Sequence, residues 1–301
     1  MIYSLFVSCP KGLEYLLEDE LKALGLTVTK VSPQGVYGQA SLAILYELCL
    51  WSRLANRVQL ILLKGAAPHS DALYQLCRAF AWDKVFLCEK SLAIEFHGSS
   101  QAFSNSMFGA QVIKDGIVDY FQELTGKRPM IDRKSPDIKL HAYLKNEEIT
   151  ISFDLTGYSL HQRGYRQEAG IAPLKENIAA AILIRAKWPE LYEEGYALHD
   201  PFCGAGTIVI EAAQMAARIA PGLIRHDQSF HHWVLHDETL WHDVRAKAIQ
   251  QKRPLSLILQ GSDANLQMIN KARENATLAG VQSLVLFNHH ALKECRHNTR
   301  V

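Results

Sequence analysis

Nine consecutive residues, Asp200-Pro201-Phe202-Cys203-Gly204-Ala205-Gly206-Thr207-Ile208, combine an acid, two glycines and a hydroxyl in a way that could hold a small polar ligand. An apolar run ending Tyr196-Ala197-Leu198-His199 precedes them, and the small-residue run Val209-Ile210-Glu211-Ala212-Ala213 follows. That order reads as strand, glycine turn, helix. Without a Cβ, Gly204 and Gly206 let a ligand approach the backbone at the start of a helix. The third glycine of a dinucleotide fingerprint is missing, and no Gly-Lys-Ser/Thr follows, so neither that fingerprint nor a P-loop is present.

Further candidates lie outside the turn. Asp263, in Gly261-Ser262-Asp263-Ala264, closes a second strand pattern. A carboxylate there can accept ribose hydroxyls, or it can cap the helical pattern Asn265 to Leu278. Cys203 is either a nucleophile or a small packing residue, and the packing role is expected. Lys175-Glu176-Asn177 reads by itself as a solvated first helical turn. His231, His232, His236 and His242 match no zinc spacing, so no metal is expected, and the interleaved Trp233 and Trp241 point to packing. For RNA, the candidates are Lys127, Arg128, Arg133 and Lys134, and the linker residues Tyr158, Arg163, Tyr165 and Arg166. Arginine pairs with phosphate and tyrosine stacks on splayed bases; each of these residues could equally be a solvated surface group.

The elements that must position these residues follow from periodicity. Tyr3 to Cys9 alternates like a strand, and Lys11 to Leu24 has helical spacing stopped by Gly25. Strands are expected at Leu26–Val31, Gly35–Ala40 and Arg57–Leu63, with a helix over Leu42–Trp51. This β-α-β-β-α-β order is ferredoxin-like. A second α/β unit has helices over Asp71–Phe80 and Ala110–Leu124, a strand over Leu92–His97, and a closing hairpin at Lys139–Leu144 and Glu148–Phe153. Asp154 to Arg166 is expected to link this part to a third unit. There, a helix starts near Ala172-Pro173, Pro221–Pro254 forms an insertion, and strands are expected at Leu255–Leu259 and Leu284–Phe287. Repeated β-α units imply a parallel sheet.

Composition narrows the class. Of the 301 residues, 48% are hydrophobic and 21% charged, an ordinary globular balance. No apolar run approaches the roughly 18 residues of a membrane span, so no membrane partner is expected. The six cysteines (9, 49, 77, 88, 203 and 295) are scattered without C-x-x-C, and the N-terminus lacks a basic leader region. Both features point to a cytoplasmic protein with reduced thiols. A net charge of +1 means that any RNA affinity must come from local patches.

The turn resembles the cofactor loop of class I S-adenosylmethionine (SAM) methyltransferases, which wraps the methionine part of SAM. Its D-P-F-C-G-A-G-T form resembles the branch that methylates nucleobase nitrogens. Three more strings resemble the THUMP-domain RNA methyltransferases, specifically the bacterial 23S ribosomal RNA guanine-N2 methyltransferases of the RlmL type. They are Asn105 to Asp115; Asp154-Leu155-Thr156-Gly157 with His161 to Arg166; and Ala172 to Asn177. The resemblance covers Tyr3 to about Phe287. It implies a ferredoxin-like subdomain (1–65), a THUMP RNA-binding domain (66–155) and a partial Rossmann-like methyltransferase domain (156–301). It also implies SAM as cofactor, held by Asp200, Pro201, Phe202, Cys203, Gly204, Gly206, Thr207, Asp263, Ala264 and Lys175.

The family's catalytic string, Asn/Asp-Pro-Pro-Tyr, does not occur before Val301, so the catalytic residues are unknown. His290 stands where the family carries an acid for the adenine amino group, and the tail from Cys295 to Val301 matches nothing in the family. A truncated reading is the simplest account. The expected activity is SAM-dependent methylation of the exocyclic N2 amine of a guanine in 23S rRNA. Two alternatives stay open: a non-catalytic RNA-binding remnant, and adenine-N6 methylation of nucleic acid. A sheet stopping after three parallel strands leaves an edge, and the second half is expected either to bury it by dimerisation or to stay partly mobile.

Overall fold

The computed structural model describes residues 1–166, 173–225, 228–256 and 258–294. The expectations placed on Ala172 and on the tail from Cys295 lie outside them. Ten strands and nine helices are named among the described residues: β1 (Tyr3–Ser8), α1 (Glu14–Ala23), β2 (Thr27–Ser32), β3 (Gly35–Ala40), α2 (Leu42–Trp51), β4 (Arg57–Ala66), α3 (Ser70–Ala79), β5 (Leu92–His97), α4 (Ser106–Thr125), β6 (Ile138–Lys145), β7 (Glu148–Asp154), α5 (Glu176–Arg185), α6 (Trp188–Glu193), β8 (His199–Asp200), α7 (Thr207–Ala216), α8 (Glu238–Gln250), β9 (Leu259–Asp263), α9 (Leu266–Leu278) and β10 (Val285–His289).

The first seven strands form one sheet in the order β2-β3-β1-β4-β7-β6-β5. Its first four strands have the ferredoxin-like arrangement expected from sequence. The boundary expected at 65/66 does not interrupt the sheet, because β4 pairs antiparallel with β1 on one side and with β7 on the other. Local chemistry sets the element ends. The Ser41 hydroxyl accepts from the Ile44 N–H to cap α2, and Gly126 ends α4 in the left-handed conformation.

The second half is a parallel sheet of order β10-β9-β8. Among the described residues no strand pairs with the outer edge of β8. The strand expected at Leu255–Leu259 is displaced and runs instead over Leu259–Asp263. Ahead of it, Leu255 lies against the second core, and the Ser256 N–H donates to the Tyr192 hydroxyl at 3.0 Å. The strand proper needs Gly261, where a Cβ would sit 2.8 Å from the Phe287 ring and 3.0 Å from Cys203 Cβ.

Two cores result, and the insertion belongs to the first. Phe230, Trp233, Trp241, Val244 and Ala248 pack into the same cluster as Leu5, Tyr46 and Leu48 of the N-terminal sheet. Tyr165, Trp188, Ile210, Ile269 and Phe287 form the second. The Pro221–Pro254 insertion is therefore one element by which the second half holds the first. Burying such large aromatic side chains contributes on the order of 2–3 kcal/mol each.

Candidate cofactor and RNA sites

The turn after β8 is fixed by its neighbours. The Cys203 N–H donates to Ser262 O at 2.9 Å, and the Gly204 N–H donates to Asp263 Oδ2 at 3.0 Å. Gly204 (φ +52°) and Gly206 (φ +83°) are both left-handed. They differ in what a side chain would meet. A Cβ on Gly206 would lie 2.8 Å from Phe287, whereas one on Gly204 would meet no described residue within 4 Å. Packing thus forces Gly206, and Gly204 leaves open space above the turn. That space is a cradle at the N-terminus of α7, the end of a helix that favours negative groups.

Two carboxylates flank it at the ends of adjacent strands. Asp200 accepts from the Phe202 N–H at 3.1 Å. Burial pushes its carboxyl above the usual range, partly offset by the Phe202 N–H and His199, while Asp263 adds to the rise. Asp263 accepts from Gly204 and, through Oδ1, from the Asn265 N–H at 2.8 Å. It is not the cap of α9, because the Asn265 side chain takes that role. Each of its oxygens keeps a second lone pair for a ligand hydroxyl. Phe202 is 70% exposed beside the turn, and Ala264 is exposed next to Asp263.

Other expected cofactor residues take structural parts. The Cys203 side chain is buried, and burial pushes its thiol up to about 12, which fits the packing role rather than a nucleophile. Thr207 is buried, and its hydroxyl accepts from Arg166 Nη2 at 2.7 Å. Lys175 is exposed and precedes α5. The solvated first turn expected after it is not observed: Glu176 and Asn177 are buried. Asn177 donates to Asn56 Oδ1 at 2.9 Å, because the start of α5 docks on the ferredoxin-like unit.

The expected RNA-binding residues divide sharply. Arg163 and Tyr165 are 1% and 0% exposed, so no nucleic acid reaches them. Arg163 Nε lies 3.3 Å from Glu211 of α7, and its Nη2 donates to Arg53 O at 2.7 Å. Arg53 Nη1 approaches the same carboxylate at 3.7 Å. Tyr165 packs in the second core and its hydroxyl also reaches Glu211. Arg166 is spent on Thr207, Leu174 O and Glu176. A polar, glycine-rich linker reads as surface, but pairing over 48 positions with Glu211 has no local signal.

Arg133, Lys134 and Tyr158, in contrast, line one cleft of about 720 Å³. Arg57 and Lys139, which sequence reasoning missed, join them, with Glu95 and Asp137 tempering the charge. Both are strand residues whose side chains point to the cleft only once β4 and β6 are placed. Arg57 is anchored by Asp154, and Lys139 lies 2.5 Å from Glu95. Tyr158 is 51% exposed and free to stack. Lys127 and Arg128 are exposed after α4, outside this lining.

Comparisons with known proteins show what the chain is similar to. Residues 4–59 match the RlmL ferredoxin-like domain, 68–154 the THUMP domain, and 163–301 the RMKL-like methyltransferase domain. Ribosomal RNA large subunit methyltransferase K/L of Legionella pneumophila (strain Philadelphia 1) is 62% identical over 300 residues, 100% of this chain and 42% of that protein. The chain thus spans less than half the length of this relative. A putative methyltransferase, SMU.472, solved in complex with SAH, superposes with a TM-score of 0.86 at 29% identity, over 99% of this chain and 78% of that one. A predicted N6-adenine-specific DNA methylase from Listeria monocytogenes superposes at 0.87 with 27% identity, covering 99% and 77%.

Proposed function

This chain belongs to the THUMP-domain methyltransferase family, and on that premise we propose that it binds SAM at the Asp200–Thr207 turn and serves methylation of large-subunit ribosomal RNA. The observation that carries the reading is the open space over Gly204, between two strand-end carboxylates. SAM supplies an electrophilic methyl group when bound. Gly204 gives the ligand access to the backbone, Asp263 accepts ribose hydroxyls while holding the turn closed, and Asp200 receives the cationic end. Arg133 and Lys134 hold RNA phosphate at the cleft, and Tyr158 stacks on a base. The finer reading is 23S rRNA, with the exocyclic N2 amine of a guanine as acceptor.

A second reading is favoured by one feature: no Asn/Asp-Pro-Pro-Tyr string occurs in these 301 residues. Under it, the chain binds SAM and RNA without turnover. A tritiated-methyl assay on rRNA lacking the modification separates the two. Sustained transfer by residues 1–301 supports the first reading, and SAM binding without transfer supports the second. The outer edge of β8, unpaired among the described residues, is the surface a second copy would cover. A monomer by sedimentation at all concentrations would remove that part of the proposal.

A further inference from the structure

The insertion brings together side chains that the cofactor turn does not use, one of which, His231, also lines the RNA cleft. His231 Nδ1 and His236 Nε2 are 3.2 Å apart, His236 Nε2 and Glu238 Oε2 are 2.8 Å apart, and His231 Nδ1 and Glu238 Oε2 are 3.7 Å apart. These three donor atoms make a closed triangle. Tetrahedral zinc with bonds of 2.0–2.2 Å separates its ligand atoms by about 3.3–3.6 Å, within a few tenths of an ångström of two of those edges. Two imidazole nitrogens face each other and one carboxylate oxygen; a single His236 N–H can serve the two shorter contacts, and the 3.7 Å edge is too long for a hydrogen bond.

The surrounding groups fit a metal. His236 Nδ1 is 2.6 Å from the buried Tyr46 hydroxyl of α2, whose oxygen also accepts the Asp237 N–H at 2.9 Å. A partner of this kind on the far nitrogen fixes ring orientation in metal-bound histidines. His242 Nε2 lies 3.1 Å from the other Glu238 oxygen, one turn along α8, and is a further nitrogen donor. Glu238 and His242 are solvent-exposed, which gives an entry path. Two imidazoles and a carboxylate suit zinc-type divalent ions over magnesium or calcium. The other His/Glu group, at Glu95, His97 and His141, fits less well, since Lys139 already occupies its carboxylate.

We propose that His231, His236 and Glu238 bind one zinc-type divalent cation, with Tyr46 as positioning residue, so that the ion clasps the insertion to α2. The spacing H-x4-H-x-E is short and irregular, so sequence alone matches it to no zinc motif. The site is independent of the SAM reading and stands or falls without it.

The test uses the chelator-treated 301-residue chain, titrated with zinc chloride and, as a spectroscopic probe, cobalt(II) chloride. Expected are one equivalent bound, a ligand-field visible spectrum for cobalt, a raised unfolding temperature, and no such effect from magnesium. Glu238→Gln, an exposed change that leaves the fold intact, should weaken zinc binding at least 100-fold, as should His231→Gln. Tyr46→Phe should weaken it about 10- to 100-fold, and His97→Ala should leave it unchanged. An absence of one-equivalent binding would show an ion-pair cluster only and overturn the proposal. So would binding that survives both Glu238→Gln and His231→Gln, or binding that His97→Ala removes.

Discussion

The Glu211 junction and the Arg133–Lys134 cleft are built from the same residue types and do opposite things. At the junction, Arg53 and Arg163 converge on one carboxylate that is fully buried, and Arg53 Nη2 with Arg163 Nη1 and Nη2 donates to backbone carbonyls. At the cleft, Arg133 and Lys134 stand exposed around an open volume. The first ties the ferredoxin-like unit to α7, the helix that begins at the cofactor turn. The second leaves its charges for a ligand. Burial, not residue type, divides cement from binding surface.

The largest expected effect breaks the junction. Glu211→Ala leaves two buried guanidinium groups without their carboxylate and should cost about 3–5 kcal/mol in urea unfolding. Arg133→Ala should stay within about 0.5 kcal/mol. Equal losses would erase the distinction. Next, Arg133→Ala with Lys134→Ala should weaken RNA binding and lower the slope of log K against log salt by up to about 2, near 0.7–0.9 per lost phosphate contact. An unchanged slope would remove the cleft from the RNA surface.

A smaller effect lies in pH. Burial first, then the positive charges of Lys175, Arg163, Arg166 and Arg57, push the His161 imidazole down to about 4. Above its unfolded value near 6.5, both states are neutral and His161 adds no pH dependence. Between there and about 4 the unfolded chain takes up a proton that the folded one refuses, so stability falls as pH falls. His161→Gln should flatten that slope in thermal melts. The smallest effect is chemical: the buried Cys203 thiol, pushed up to about 12, should resist alkylation in the folded protein at pH 8.

The sequence made the repeated units legible because local period and turn chemistry agree there. The β-α-β-β-α-β order, the hairpin of β6 and β7, and the turn at Gly204 and Gly206 all follow from neighbours along the chain. What escaped depends on distant partners. Arg163 looks solvated until Glu211 is brought to it, and Asn177 until Asn56 is. β9 carries little sequence signal because its residues, Gln260-Gly261-Ser262, are poor strand formers, with Gly261 set by the close approach of Phe287 and Cys203. The insertion read as polar and aromatic, which is correct locally, yet its partners Tyr3 and Tyr46 are over 180 positions away.

The central claim is that the Asp200–Thr207 turn with Asp263 is a cofactor half-site, and calorimetric titration of SAM into the 301-residue chain tests it most directly. The account predicts one site per chain, weakened at least tenfold by Asp263→Ala and unaffected by Arg133→Ala. No heat of binding from a chain whose circular dichroism shows it folded, or binding indifferent to Asp263, would contradict it.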